Sequence, residues 1–148
     1  MGPDRLPSDW PLSEHSEFVQ CAGTLWHIQQ VGSGPVVLLL HGTGSSTHSM
    51  AGMAEYLSSQ FTCILIDLPG QGFTHPIEER EHLLSAMARA IYELCKQLEI
   101  SPEHVIGHSA GAAVGIRMCL DTDISCLLYT SDAADEGLGV DLGGRRII

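Results

Sequence analysis

His104-Val105-Ile106-Gly107-His108-Ser109-Ala110-Gly111-Ala112-Ala113-Val114 is the stretch whose reading decides the fold. Its first three residues make a short apolar strand, and residues 110 to 120 read as a helix. Between them lies Gly107-His108-Ser109-Ala110-Gly111, the pattern G-x-S-x-G. A serine at such a junction sits on a sharp, strained turn, with its hydroxyl at the carboxyl end of the strand. The positive end of the following helix lies next to it. Gly107 and Gly111 carry no side chains, so strand and helix can approach closely there. In this context the motif reads as a nucleophile elbow with Ser109 as the nucleophile. The competing reading is a plain turn of small residues.

Upstream, the same logic repeats. Val36-Val37-Leu38-Leu39-Leu40 is continuously aliphatic, as a strand covered on both faces should be. The small-residue loop His41-Gly42-Thr43-Gly44-Ser45-Ser46-Thr47 follows it, then a helix marked by Met50, Met53, Ala54 and Leu57. Thr62 to Asp67 is a second buried strand. Leu83, Leu84, Met87, Ile91, Leu94 and Leu98 mark one face of a helix over roughly 81–98. Glu78, Glu79 and Glu81 read either as its start, where carboxylates favour the positive helix end, or as a solvated face. Before all of these, Phe18–Cys21 and Thr24–Gln29 form a hairpin about a Gly23 turn. The order is a hairpin followed by β-α-β-α-β-α, which gives an α/β fold with a parallel sheet.

The loop at Gly42-Thr43 supplies the second half of the chemistry. The N–H groups of Thr43 and Ala110 are the candidate oxyanion-hole donors, facing charge that develops on a substrate carbonyl. Gly42 is the loop glycine that belongs with Gly107 and Gly111 of the elbow. His41 reads as a structural histidine that pins the loop. The loop lacks a G-K-[ST] ending and so is not a phosphate loop.

Composition narrows the function. The 148 residues carry 18 acidic and 7 basic side chains, a net charge of −11, which argues against nucleic acid as a partner. The longest aliphatic run, Val36–Leu40, is far short of the roughly 18 residues of a membrane span. The start has no apolar signal-peptide region. Five cysteines are widely spaced, with no C-x-x-C pair, and read as reduced thiols in a cytoplasmic protein. The eight histidines show no ligand spacing, so no metal and no cofactor are expected.

Over residues 18–120 the chain resembles the α/β-hydrolase superfamily. LWHIQQVGSGP, LLLHGTGSSTHSM, DLPGQGFT and GHSAGAAVGIRM are similar to the magnesium-chelatase accessory proteins of bacteriochlorophyll biosynthesis. Met50 stands where that family has Trp, and Gln71 where many relatives have His. The resemblance implies a role in magnesium insertion into protoporphyrin, with a tetrapyrrole or another small molecule as ligand and magnesium-chelatase subunits as partners. It leaves the magnesium and ATP of that reaction with the chelatase itself. Trp10, Trp26 and Phe73 are the rings that could stack on a flat ligand, and packing is the competing role for each. Two other functions stay open: a serine esterase or thioesterase acting on a small acyl substrate, and a non-catalytic binding protein on the same fold.

Composition alone reads residues 126–148 as a flexible tail with little apolar periodicity. CLLYTSDAADE (126–136) and VDLGGRRII (140–148) also resemble translated sequencing-library adapter and its flanking primer. The expected organisation is therefore an N-terminal extension at 1–17, a partial α/β-hydrolase domain at 18–125 truncated after the elbow helix, and a non-native tail at 126–148. In this superfamily the acid and histidine that complete a triad follow the serine in chain order. Both would lie beyond Ser125, so the chain is expected to lack esterase activity and to be poorly soluble.

Overall fold

The computed structural model describes residues 6–79 and 81–124, with the backbone of 127–130, 140–142 and 145–147. Strand β1 (Ser16–Cys21) and strand β2 (Thr24–Gly32) form the expected hairpin, with Cys21 opposite Thr24. Its two turn residues, Ala22 and Gly23, have φ of 51° and 77°, the handedness that a tight two-residue hairpin needs. β3 (Val36–Leu40), β4 (Thr62–Ile66) and β5 (His104–Gly107) are the parallel centre of the sheet, with β3 between the other two. β2 joins β4 in antiparallel register and leaves β1 as the outer strand.

The helices follow the expected alternation. A 3-10 turn (Thr47–Met50) leads into α1 (Ala51–Leu57), then come α2 (Leu83–Gln97) and α3 (Ala110–Asp121). The start of α2 departs from the sequence reading by two residues. His82 takes a left-handed conformation at φ 54°, so the helix opens at Leu83 with no acid in its first turn. Glu79 and Glu81 lie in the preceding loop, where the Glu81 N–H donates to Glu79 Oε1.

Alternation along the strands builds two cores. Leu38, Leu40, Ile64 and Ile66 pack against Ile91 and Leu94 of α2 and Val114 and Met118 of α3. Val37, Leu39, Cys63 and Leu65 face Met50 and Ala54 on the other side. Each fully buried Leu or Ile contributes about 1.5–3 kcal/mol relative to exposure, so the continuous aliphatic strands stabilise the sheet from both faces.

Part of the segment read as a flexible tail is strand. β6 (Leu127–Thr130) runs parallel to β5, with Leu127 opposite His104. β7 (Val140–Leu142) and β8 (Arg145–Ile147) extend the sheet to the order β1-β2-β4-β3-β5-β6-β8-β7. β6 pairs the backbone groups along β5 that would otherwise form a sheet edge, and Tyr129 and Thr130 are strand-forming residue types.

Candidate active site

Strands β3 and β5 end side by side, with Leu40 opposite Gly107. The His108 N–H donates to Leu40 O at 3.0 Å, so the ladder continues one residue further before the chain turns. Ser109 then adopts φ 54° and ψ −114°, a combination that costs a non-glycine residue roughly 1–3 kcal/mol. The Gly111 N–H donates to His108 O at 2.9 Å and closes the turn. Ser109 is exposed at the start of α3.

The flanking glycines are steric requirements. A methyl group at 107 would sit 2.5 Å from Ala112 N, and one at 111 would sit 2.1 Å from Leu40 O. Gly42 faces the elbow directly: a methyl group there would lie 3.4 Å from Ser109 Cβ and 3.0 Å from His108 Cδ2. The loop after β3 and the elbow after β5 are thus brought together at one end of the sheet. Ala110 is the first residue of α3, so its N–H has no acceptor within the helix. Thr43 is exposed in the neighbouring loop. Serine, small-residue loop and helix start thus meet at one end of the sheet.

The loop is fastened from beneath. His41 is fully buried; its Nδ1 lies 2.7 Å from Gly42 O, and its Nε2 accepts the Leu68 N–H at 2.9 Å. Those two bonds set the tautomer, with the proton on Nδ1. Burial pushes the imidazole below its ordinary pKa of 6.5. The Gly44 N–H donates to Gln71 Oε1 at 2.7 Å, so Gln71 ties the loops after β3 and β4 together. The Thr47 N–H donates to Asp67 Oδ1 at 2.7 Å.

No other described group is hydrogen-bonded to the Ser109 hydroxyl. Asp121 closes α3 in a two-point pair with Arg117 at 2.6 and 2.8 Å, and Asp123 accepts the Tyr92 hydroxyl. Both acids stand at the far end of that helix, on the order of 16 Å from its start at ~1.5 Å per residue. Trp26 is fully buried and donates to Cys21 O, so it belongs to the core. Trp10 and Phe73 are half-buried and pack edge to face at 5.0 Å. Cys21, Cys63 and Cys95 are buried free thiols, and burial, with Cys21 nearby, pushes Cys95 up to about 12. Such thiols are poor nucleophiles.

Comparison with known proteins decides the family. A family model described as the alpha/beta hydrolase fold matches residues 35–142. The chain belongs to the alpha/beta hydrolase fold family. Within that family it is 36% identical to the magnesium-chelatase 30 kDa subunit of Rhodobacter capsulatus, over 95% of this chain and 50% of that protein. It is 37% identical to a fluoroacetate dehalogenase of a Burkholderia species, over 65% of this chain and 33% of the enzyme. The crystal structure of an epoxide hydrolase from Vigna radiata superposes with a TM-score of 0.69 at 27% identity, covering 80% of this chain and 41% of that one. The chain spans about half the length, or less, of these relatives.

Sequence reasoning missed the polar partners behind the site. His27, Gln29 and Asp67, all fully buried, join the half-buried Ser16 in one hydrogen-bonded chain, and Gln71 clamps the Gly42–Gly44 loop. A signal existed for Asp67, a charged residue closing an otherwise apolar strand, and for His27, on the second arm of the hairpin. Nothing local marked them as partners.

Proposed function

We propose that the protein assists magnesium insertion into protoporphyrin, with a tetrapyrrole as ligand and magnesium-chelatase subunits as partners in the cytoplasm. The observation that carries this reading is the 36% identity to the Rhodobacter capsulatus subunit, which runs over 95% of the chain. In this reading Ser109 is the nucleophile of the site, the Thr43 and Ala110 N–H groups are its oxyanion donors, and Gly42, Gly107 and Gly111 provide the clearance. Deleting the gene in its host is expected to lower magnesium-protoporphyrin output. Unchanged chelatase output in the deletion strain overturns the assignment.

A second reading has its own support. Ser109 sits at φ 54° between a parallel strand and a helix, beside a loop pinned by His41 and Gln71. That geometry favours a serine esterase or thioesterase acting on a small acyl substrate. A non-catalytic binding protein on the same fold is the third reading, and ester turnover by a chain that also carries a family acid and histidine separates it from the second.

We also propose that residues 126–148 are translated adapter, on the strength of the CLLYTSDAADE string, although the family match runs on to residue 142. A long sequencing read across codon 125 from the source DNA is expected to leave this string and continue into new coding sequence. Finding CLLYTSDAADE in the genome overturns the proposal.

A further inference from the structure

We propose that Ser16, His27 and Asp67 form a second nucleophile relay, separate from the elbow, in which the Ser16 hydroxyl takes an acyl or phosphonyl group from an activated ester or fluoride. His27 Nδ1 lies 2.7 Å from Asp67 Oδ2, and His27 Nε2 lies 2.8 Å from Ser16 Oγ. His27 and Asp67 have no solvent exposure, whereas Ser16 is half-buried at the start of β1, the outer strand of the sheet. Of the three residues, Ser16 alone is partly exposed.

With a neutral imidazole, each hydrogen-bond direction follows from its partners. A carboxylate only accepts, so the imidazole proton facing Asp67 is on Nδ1. Asp67 also accepts the Thr47 N–H on Oδ1 and the Phe73 N–H on Oδ2, which fixes the carboxylate in place. In the neutral ring Nε2 is then an acceptor, and the Ser16 hydroxyl donates to it. Gln29 Nε2 lies 2.9 Å from Pro11 O, 3.2 Å from Leu12 O and 3.1 Å from Ser16 Oγ. Two of those partners are carbonyls, so this atom is the amide nitrogen and not its oxygen. Ser16 Oγ thus accepts from Gln29 and donates to His27. The rings of Phe18 and Phe73 flank the imidazole at 5.1 and 5.5 Å and hold its orientation. A serine on a histidine that is itself oriented by a buried carboxylate is the arrangement that activates a hydroxyl for attack. Ser46 also meets a histidine, His48, but among the described residues no carboxylate is bonded to that ring.

The step balances without a co-reactant. With a fluorophosphonate, Ser16 Oγ bonds to phosphorus, its proton moves to His27 Nε2, and the P–F bond breaks to release fluoride. With an activated aryl ester, Ser16 Oγ bonds to the acyl carbon as its proton moves to His27 Nε2, the acyl carbon–aryloxy bond breaks, and the departing phenolate takes the proton from His27 to leave as the phenol. β1 is a regular strand without the N–H cradle of the elbow, so the expected product is a stable covalent adduct and not rapid turnover.

The test treats the full chain with a fluorophosphonate and locates the adduct by peptide mass spectrometry. The expected result is one adduct at Ser16, retained in Ser109→Ala, lost in Ser16→Ala, and formed at least ~100-fold more slowly in His27→Gln. Because His27→Gln removes a buried partner, the same rate is also measured on the wild-type chain unfolded in urea, where the relay is gone and a comparable slowing is expected. No adduct at Ser16 in the folded chain overturns the proposal. So does an adduct at Ser109 alone, or a Ser16 labelling rate that urea leaves unchanged.

Discussion

The elbow and the Ser16 chain hold complementary parts of one chemistry. At the elbow, a strained backbone exposes Ser109 at the start of α3, with Gly42 of the neighbouring loop close by, but no described imidazole is bonded to its hydroxyl. At Ser16 the imidazole and carboxylate are in place, at 2.8 and 2.7 Å, while the serine rides an unstrained strand. Backbone strain and glycine clearance serve to place a nucleophile and to stabilise the charge it creates. A buried histidine–carboxylate pair serves to remove its proton. The two arrangements rise from different elements, the elbow from β5 and α3 and the Ser16 chain from β1, β2 and the residue after β4.

Four perturbations break or sharpen that contrast. The largest effect is expected for Gly111→Ala at the elbow. The new methyl meets Leu40 O and His41 O, both backbone atoms that cannot step aside, at 2.1 and 2.6 Å. A loss of about 4 kcal/mol or more in urea denaturation is expected, well above the ordinary cost of overpacking. A loss below about 1 kcal/mol would show that strand and helix are not in this contact.

Next is Asp67→Asn at the buried chain. The fully buried carboxylate collects two backbone N–H groups and the His27 ring, and an amide cannot serve all three. Removing one partner of a buried pair costs about 3 kcal/mol, and backbone amide exchange at Thr47 and Phe73 should speed up with it. Unchanged exchange at both amides would remove Asp67 from its role as the hub.

Third, Ser109→Gly should stabilise the protein by roughly 1 kcal/mol, because glycine adopts φ 54° without strain. No equivalent gain is expected for Ser16→Gly, whose backbone is ordinary strand. A destabilised Ser109→Gly would mean that the elbow stores no strain.

The smallest effect is a pH dependence from His41. Burial holds its folded-state pKa below the ordinary 6.5, so the unfolded chain takes up the proton more readily. The stability this group contributes is complete above 6.5 and drains away as the pH falls from there towards the lowered folded value. His41→Asn should flatten that part of the stability–pH curve relative to wild type, and an unchanged slope would assign the effect to other histidines.

What could be read from the sequence was what is written locally. Val36–Leu40 and Cys63–Ile66 announced themselves as buried strand because every residue is apolar, and Gly107–Gly111 because its glycines sit where strand meets helix. The parts that escaped depend on sheet order. His27 and Asp67 lie 40 residues apart and meet because β2 pairs with β4. Gln71 reaches Gly44 across 27 residues because the loops after β3 and β4 leave the sheet together. The opening of α2 escaped for a different reason. A left-handed His82 ended the loop two residues later than the apolar pattern suggested.

The central claim is that the elbow holds a placed nucleophile whose base is not among the described residues. Hydrolysis of a p-nitrophenyl ester by the wild-type chain and by Ser109→Ala tests it most directly, since any turnover from Ser16 is common to both. Equal rates are predicted. A wild-type rate that exceeds the variant and saturates with substrate would contradict the account and show that a base already reaches Ser109.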